Sequence, residues 1–491
     1  MLIDFLNSIL PPYLAFIILL LYLLTVLSTA IMVIHEKRDP AKTSIWVLIL
    51  ILLPVLGLIF YIFFGQNHRK EKMFNRKEIK DLKHIELLSK TQLSDIKTDA
   101  FYTEPSIVDN LNIITLLLNN SKALLTIHNQ VEIFQTGKKT FNAIIDNIDK
   151  AQESIHLVFY IIASDNIGNI IKEKLIKKAR AGVEVRLIYD DVGSWKISKK
   201  FITELKEAGV EVYPFMKVKF PLLTSKFNYR NHRKVIVIDG KVAFMGGMNI
   251  ADRYLKGDES LGMWYDTVLR IRGEAVKVLQ LVFFVDWFFV SKKIVSDSNK
   301  YFPEHPVPEA HPVQITVSGP DSDWASIMQA FFAAITHAKK HIYISTPYFV
   351  PNQSILTALK TASLSGVDVR IVLPGKSDAT VVYWSSMSYV SELLKAGIKV
   401  YLFQNGFNHS KILMIDTSFA SVGSANMDIR SFEDNFEIMA MIYDPEVTQK
   451  LETQFLRDIK RSKKVNVSRW NRRPIRQTFK ESVARMFSPL F

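Results

Sequence analysis

The chain contains no cysteine in its 491 residues. That absence removes disulfides, thiolate–metal sites and papain-like catalysis together, and it is compatible with a catalytic portion facing a reducing compartment. Acidic residues are in deficit: 48 Asp and Glu against 62 Lys and Arg leave a net charge of +14 and a pI near 9.4. An anionic partner is therefore expected, with nucleic acid and an anionic membrane surface as the two candidates. The sequence offers no aromatic stacking platform or groove-reading helix, which argues against nucleic acid. Basic residues are missing ahead of the first long apolar run, where Asp4 is the one charge. That run is also longer than a signal core, so a secretory signal fits poorly.

Two apolar runs are present, at about 14–34 and 45–64. Each is about 20 residues long, enough to cross a hydrocarbon core. Pro54 and Gly57 in the second suggest a kink or close helix packing. The loop between the runs carries Lys37, Arg38 and Lys42, while Arg69, Lys70, Lys72, Arg76, Lys77 and Lys80 follow the second. The larger basic excess lies after the second run, so a two-span hairpin with a cytoplasmic carboxyl portion is expected.

The remainder is too long for one ordinary core and repeats itself. Gly182-Val183-Glu184-Val185-Arg186 returns as Gly366-Val367-Asp368-Val369-Arg370, and the stretch from Leu205 to Tyr213 returns from Leu393 to Tyr401. Two copies of H-x-K-x-x-x-x-D stand out: His232, Lys234 and Asp239, then His409, Lys411 and Asp416. Six residues after each comes a glycine turn with an asparagine, Gly246-Gly247-Met248-Asn249 and Gly423-Ser424-Ala425-Asn426. The short β-rich runs after the lysines predict strands. On a strand His232 and Lys234 share a face, as do His409 and Lys411. Each aspartate is an odd number of residues from its histidine, so parity gives it a supporting role in positioning the strand or loop. Histidines, lysines and amide donors converging from two copies suit a phosphate. The lysines neutralise it and the histidines serve as nucleophile and acid/base.

These paired motifs resemble the phospholipase D superfamily, and more specifically its bacterial cardiolipin synthases. The matching stretches are Arg38-Asp39-Pro40, Tyr189 to Ser194, Asn231 to Lys234 with Gly247 to Ile250, and Ser424 to Phe432. The resemblance implies two pseudo-twofold-related phospholipase D-like α/β sandwich repeats behind a two-helix transmembrane hairpin. The expected divisions are 1–65 hairpin, 66–128 connecting helical region, 129–291 first repeat, 292–313 Pro-bearing linker, 314–460 second repeat, and 461–491 basic carboxyl segment. Implied too is a transfer from one phosphatidylglycerol to another through a phosphohistidine, giving cardiolipin and glycerol. His232 is assigned as nucleophile and His409 as acid/base, with Lys234, Lys411, Asn249 and Asn426 holding phosphate. Asp266 and Glu437 fall where the superfamily places a histidine-orienting carboxylate. No metal or other cofactor is expected, because Lys234 and Lys411 supply the positive charge.

Two peripheral stretches stay open at this level. The basic, aromatic segment Lys217 to Arg230, including Phe220, Phe227 and Tyr229, fits either a border to a lipid entrance or a solvated loop. Arg461 to Phe491 holds nine Lys or Arg and one acid, Glu481, with Ile475, Phe479, Val483, Met486 and Phe487 near helical spacing. It fits an amphipathic helix on an anionic leaflet or a last helix packed on the body. Competing functions are a membrane-bound phospholipase D that releases phosphatidic acid, a tethered nuclease, and a non-catalytic scaffold, the last opposed by two intact motifs.

Overall fold

A computed structural model describes residues 11–35, 46–50, 57, 88–94, 105–218, 229–295, 300–486 and 488. Most of the expected second span, the interspan loop, the basic run at 69–80, and Phe220, Phe227 and Phe487 lie outside the described residues. The chain divides into two units, residues 1–75 with 218–228, and residues 76–217 with 229–491. In the first, Pro12–His35 forms helix α1. Among the described residues it is the one helix long and apolar enough to cross a membrane. Residues 46–50 are also helical, and Leu50 is buried against Val26, Trp46 and Val47.

The second unit contains two sheets of matching topology. In the first half the strands are β1 (Asn129–Phe134), β2 (Ser154–Phe159), β3 (Glu184–Asp190), β4 (Glu211–Phe215), β5 (Lys234–Ile238), β6 (Val242–Gly246) and β7 (Val268–Gly273). In the second they are β8 (Val313–Ser318), β9 (His341–Ser345), β10 (Asp368–Pro374), β11 (Lys399–Phe403), β12 (Ile412–Ile415), β13 (Phe419–Gly423) and β14 (Glu437–Ile442). The first sheet runs β1-β7-β6-β5-β2-β3-β4 and the second β8-β14-β13-β12-β9-β10-β11, with Ser462–Lys464 pairing antiparallel on its β11 edge. Only β2-β3-β4 and β9-β10-β11 are parallel. The motif strands β5 and β12 sit centrally, paired antiparallel on both sides. Val235-Ile236-Val237-Ile238 is buried throughout, as a strand covered on both faces must be, and each such side chain contributes about 1.5–3 kcal/mol by leaving water.

Helices cover the sheets: α2 (Leu111–Asn120), α3 (Gly137–Lys150), α4 (Asn166–Arg180), α5 (Lys199–Glu207), α6 (Ala275–Ser291), α7 (Ser326–His337), α8 (Gln353–Leu364), α9 (Thr380–Lys395), α10 (Pro445–Lys460) and α11 (Ile475–Met486). Side-chain caps open α4, α8 and α10: Asp165 accepts from the Gly168 amide, Asn352 from Ile355, and Asp444 from Val447 ahead of Pro445. Within the region expected as a connector, α2 joins the core of the second repeat. Leu125–Thr126 extends that repeat's sheet beyond β8. The chain thus touches the second repeat before building the first.

Candidate active site

Each motif histidine lies just ahead of its strand, on a short extension that leaves its own sheet for the other half. The His232 amide donates to the Phe436 carbonyl at 2.9 Å, and Phe436 donates back to the Arg230 carbonyl at 2.9 Å. Reciprocally, Phe407–Asn408 pairs in parallel with Trp264–Tyr265, and the His409 amide donates to the Tyr265 carbonyl at 2.7 Å. Asn231 and Asn408 set the same local turn, each side-chain oxygen accepting from the amide two residues on, at 3.1 Å. The segments at 264–265 and 436 run directly into β7 and β14, so the partner half delivers its carboxylate to the incoming histidine.

The pairs are consequently crossed. His232 Nδ1 lies 2.9 and 3.0 Å from the two carboxylate oxygens of Glu437. His409 Nδ1 lies 2.7 Å from Asp266 Oδ2. Both histidines are buried, at 8 % and 6 % exposure. Lys234 and Lys411 also sit in this cluster, each ammonium donating to the carbonyl of the histidine two residues before it.

The two pairs are not equivalent. Glu437 additionally accepts from the Ser424 hydroxyl and, at 3.3 Å, from Asn435 Nδ2. Burial pushes Glu437 upward, but the hydrogen bond from His232, the Lys234 charge and the Ser424 hydroxyl outweigh it and hold this carboxyl below its ordinary range. Burial brings His232 down to about 4 against the opposing pull of Glu437. The pair therefore rests as carboxylate and neutral imidazole, with Nδ1–H donating and Nε2 unprotonated. Asp266 has the Thr267 amide at 2.8 Å as a further donor, and burial raises it to about 7. Gly247, the counterpart of Ser424, makes room: a Cβ there would stand 2.2 Å from Asp266 Oδ1. His409 is lowered well below the usual imidazole range by burial, Lys411 and Arg253. Its Nδ1 also faces the Lys411 ammonium at 3.0 Å. Burial lowers Lys234 to about 7 and lowers Lys411 as well. A desolvated ammonium gains most from an incoming phosphate.

Aromatic rings wall both histidines: Tyr160 at 4.8 Å from His232, Trp264 at 5.3 Å and Tyr348 at 6.4 Å from His409. The Arg253 guanidinium stacks on Trp264 at 4.3 Å. Asn249 and Asn426 are both buried. Asn249 accepts from the Ile161 amide at 3.1 Å and points its amide at the Tyr254 hydroxyl at 3.4 Å. Asn426 Oδ1 has no partner among the described residues. No group of three or more His, Asp and Glu side chains is arranged to hold a metal among the described residues.

Asp239 and Asp416, grouped with the catalytic motif residues on sequence, lie at the far ends of β5 and β12. Seven residues of strand separate Asp239 from His232, roughly 20 Å. Asp239 accepts from the amides of Gln152, Glu153 and Ser154 at 2.8–2.9 Å, and Asp416 from Lys339, Lys340 and His341 at 2.6–2.8 Å. They tie hairpin turns to the strands β2 and β9 and do not reach the reacting centre. Arg230 likewise does not border an entrance: it is 2 % exposed and pairs with Asp190 at 3.2 Å. Asp190 also accepts from the Asn231 amide at 2.9 Å, and Arg233 pairs with Asp286 at 2.6 Å. This buried layer fixes the extension carrying His232. Sequence reasoning gave Asp190, Arg233 and Asp286 no role, although Asp190 and Arg233 stand in quoted stretches and an asparagine precedes both histidines.

A family profile described as "Cardiolipin synthase, PLD-like domain" matches residues 144–287 and 331–459, and "Phospholipase_D-nuclease N-terminal" matches 14–66. The cardiolipin synthase of Alkalihalophilus pseudofirmus is 42% identical over 96% of this chain and 93% of its own length. The major cardiolipin synthase ClsA of Bacillus subtilis is 40% identical over 96% of this chain and 98% of its own length. In fold, the chain is similar to the crystal structure of phosphatidylserine synthase from Haemophilus influenzae, with a TM-score of 0.58 at 14% identity over 79% of this chain and 100% of that one.

Proposed function

The chain belongs to the bacterial cardiolipin synthases, phosphatidyltransferases of the phospholipase D superfamily, and from that premise we propose how its own residues divide the reaction. His232 Nε2 attacks the phosphorus of one phosphatidylglycerol. The bond from phosphorus to the headgroup glycerol oxygen breaks, and His409 gives that oxygen a proton. The phosphatidyl group is left on His232. The terminal hydroxyl of a second phosphatidylglycerol then loses its proton to His409 and attacks the same phosphorus. The phosphorus–nitrogen bond breaks, yielding cardiolipin.

The observation that carries this reading is the crossed pairing, His232 with Glu437 and His409 with Asp266, beside Lys234 and Lys411. An ionised Glu437 stabilises the positive ring that forms when Nε2 bonds to phosphorus. Asp266, raised to about 7 by burial, and the Lys411 ammonium at 3.0 Å both offer a proton to His409 Nδ1, so the neutral ring carries its own proton on Nε2, where it is given and taken back. Lys234, Lys411, Asn249 and Asn426 hold the phosphate oxygens, so charge neutralisation comes from side chains.

Residues 1–65 form a two-span hairpin, with spans at about 14–34 and 45–64 and the catalytic body on the cytoplasmic side. Supporting this are the length and apolarity of α1, the packing of Leu50 with Val26, the profile match over both spans and the basic excess after the second span. Anchoring keeps a lipid hydroxyl at high local concentration at the stage where water competes. The test is purified protein given phosphatidylglycerol in vesicles. Cardiolipin and glycerol in equal amounts are expected; phosphatidic acid without cardiolipin would make the enzyme a hydrolase. Expression in a cell lacking cardiolipin, followed by lipid analysis, gives the same answer in a living membrane.

A further inference from the structure

Helix α11 is mounted with its polar side inward. It packs along α9, burying Glu481 and Ala484. Glu481 pairs with Arg473 at 2.6 Å and Arg485 with Glu392 at 2.6 Å. The Lys480 ammonium stands 5.5 Å over the Trp384 ring, and the Arg485 guanidinium 4.3 Å over Tyr389. At about 100° per residue, Ile475, Phe479, Val483 and Met486 fall within a sector of about 80° opposite that buried side. They are 83, 69, 38 and 77% exposed. An amphipathic helix on a water-facing surface turns its apolar stripe to the core; this one turns it away. Exposed Arg476 and Lys480 flank the stripe, and exposed Arg469 and Arg472 precede it.

We propose that α11 is an in-plane membrane foot, seating its apolar stripe in the acyl boundary of an anionic leaflet while the flanking bases meet lipid phosphates. Charge decides the occupant. From Arg461 to Phe491 there are nine Lys or Arg and one acid, and that acid is already paired. Two copies of so basic a face would repel each other, whereas an anionic leaflet attracts each base. The foot also leads to the active site. It lies along α9, which begins two residues after Asp378; Asp378 accepts from the Tyr348 hydroxyl at 2.6 Å, and Tyr348 walls His409. Seating α11 therefore holds that wall at the lipid surface. The inference rests on the cardiolipin synthase reading only for the presence of a leaflet, and its test does not read turnover.

The absence of cysteine makes the test direct. Full-length Phe479→Cys protein is labelled with an environment-sensitive fluorophore and reconstituted into vesicles of phosphatidylglycerol or of phosphatidylcholine, where the amino-terminal spans anchor it equally. In phosphatidylglycerol the emission should shift to the blue, with quenching by nitroxide lipids several-fold stronger than by aqueous iodide. In phosphatidylcholine, at high salt, or with Arg472, Arg476 and Lys480 all changed to Gln, iodide should become the better quencher. The same signals are expected when His232→Ala removes activity. A probe open to iodide in both lipids would overturn the proposal. So would a blue shift already present in detergent that grows with protein concentration, because the stripe would then meet a second copy.

Discussion

The two histidines differ in what holds their Nδ1 atoms, and that difference sets separate expectations. His232→Ala and His409→Ala should each lower cardiolipin formation by at least ~10³-fold without changing membrane insertion. With labelled phosphatidylglycerol and rapid quenching, His409→Ala should retain label on the protein and His232→Ala should not. The reverse pattern would exchange their roles. Glu437→Gln removes an ionised partner bonded through both oxygens and should cost ~10²–10⁴-fold in kcat. Asp266→Asn should cost less, about tenfold, because a carboxyl raised to about 7 is already half neutral at that pH. Equal losses in the two variants would contradict the asymmetry. The free enzyme should also give a bell-shaped kcat/KM profile. Activity is lost below about pH 4 as His232 gains a proton, and declines above about pH 7 as Lys234 loses one. Initial rates across that range, fitted to two ionisations, check both limbs.

At the scale of the element, the motif aspartates show how a residue can sit within a catalytic signature and serve the backbone. Ile238 to Lys241 closes a turn with Asp239 at φ 53° and Gly240 at φ 62°; Ile415 to Ser418 does the same with Asp416 at 52° and Thr417 at 59°. Asp tolerates this left-handed region better than most residues, and Thr417 is compensated by Glu452, which accepts from its hydroxyl at 2.9 Å. Each aspartate also gathers three amides from the start of a neighbouring strand. Asp239→Ala should therefore lower stability by about 2 kcal/mol while leaving turnover per folded molecule within about twofold. Thermal unfolding beside steady-state rates separates these. A large loss of kcat at unchanged stability would place the carboxylate in the chemistry after all.

For the whole molecule, neither repeat holds a complete histidine–carboxylate pair, because each contributes a histidine to the other's carboxylate. If the chain is divided within residues 292–313, each part alone should form no cardiolipin, and the two co-expressed should restore it. Turnover by one part alone would refute the shared site. Much of this molecule was legible in order and spacing: the duplicated α/β unit, the strands that follow the two H-x-K motifs, and the apolar run of α1. Local pattern carries these, since strand period, apolar length and repeated motifs are properties of neighbouring residues. Asp266 and Glu437 were both expected on strands; Glu437 does open β14, but Asp266 lies in the gap just before β7, and which histidine each serves was not legible. Their partners lie 143 and 205 residues away in sequence, and the crossing depends on extensions that leave one sheet to pair with the other. The resting proton positions are tertiary too, because desolvation in the assembled cluster shifts the two pairs differently. So is the outward turn of the α11 stripe, fixed by which side Glu481 and Ala484 bury. Sequence thus determined the paired motifs and the repeated frame, whereas folding decided the partners and protons of the motif histidines, since contact and desolvation exist only once the halves meet.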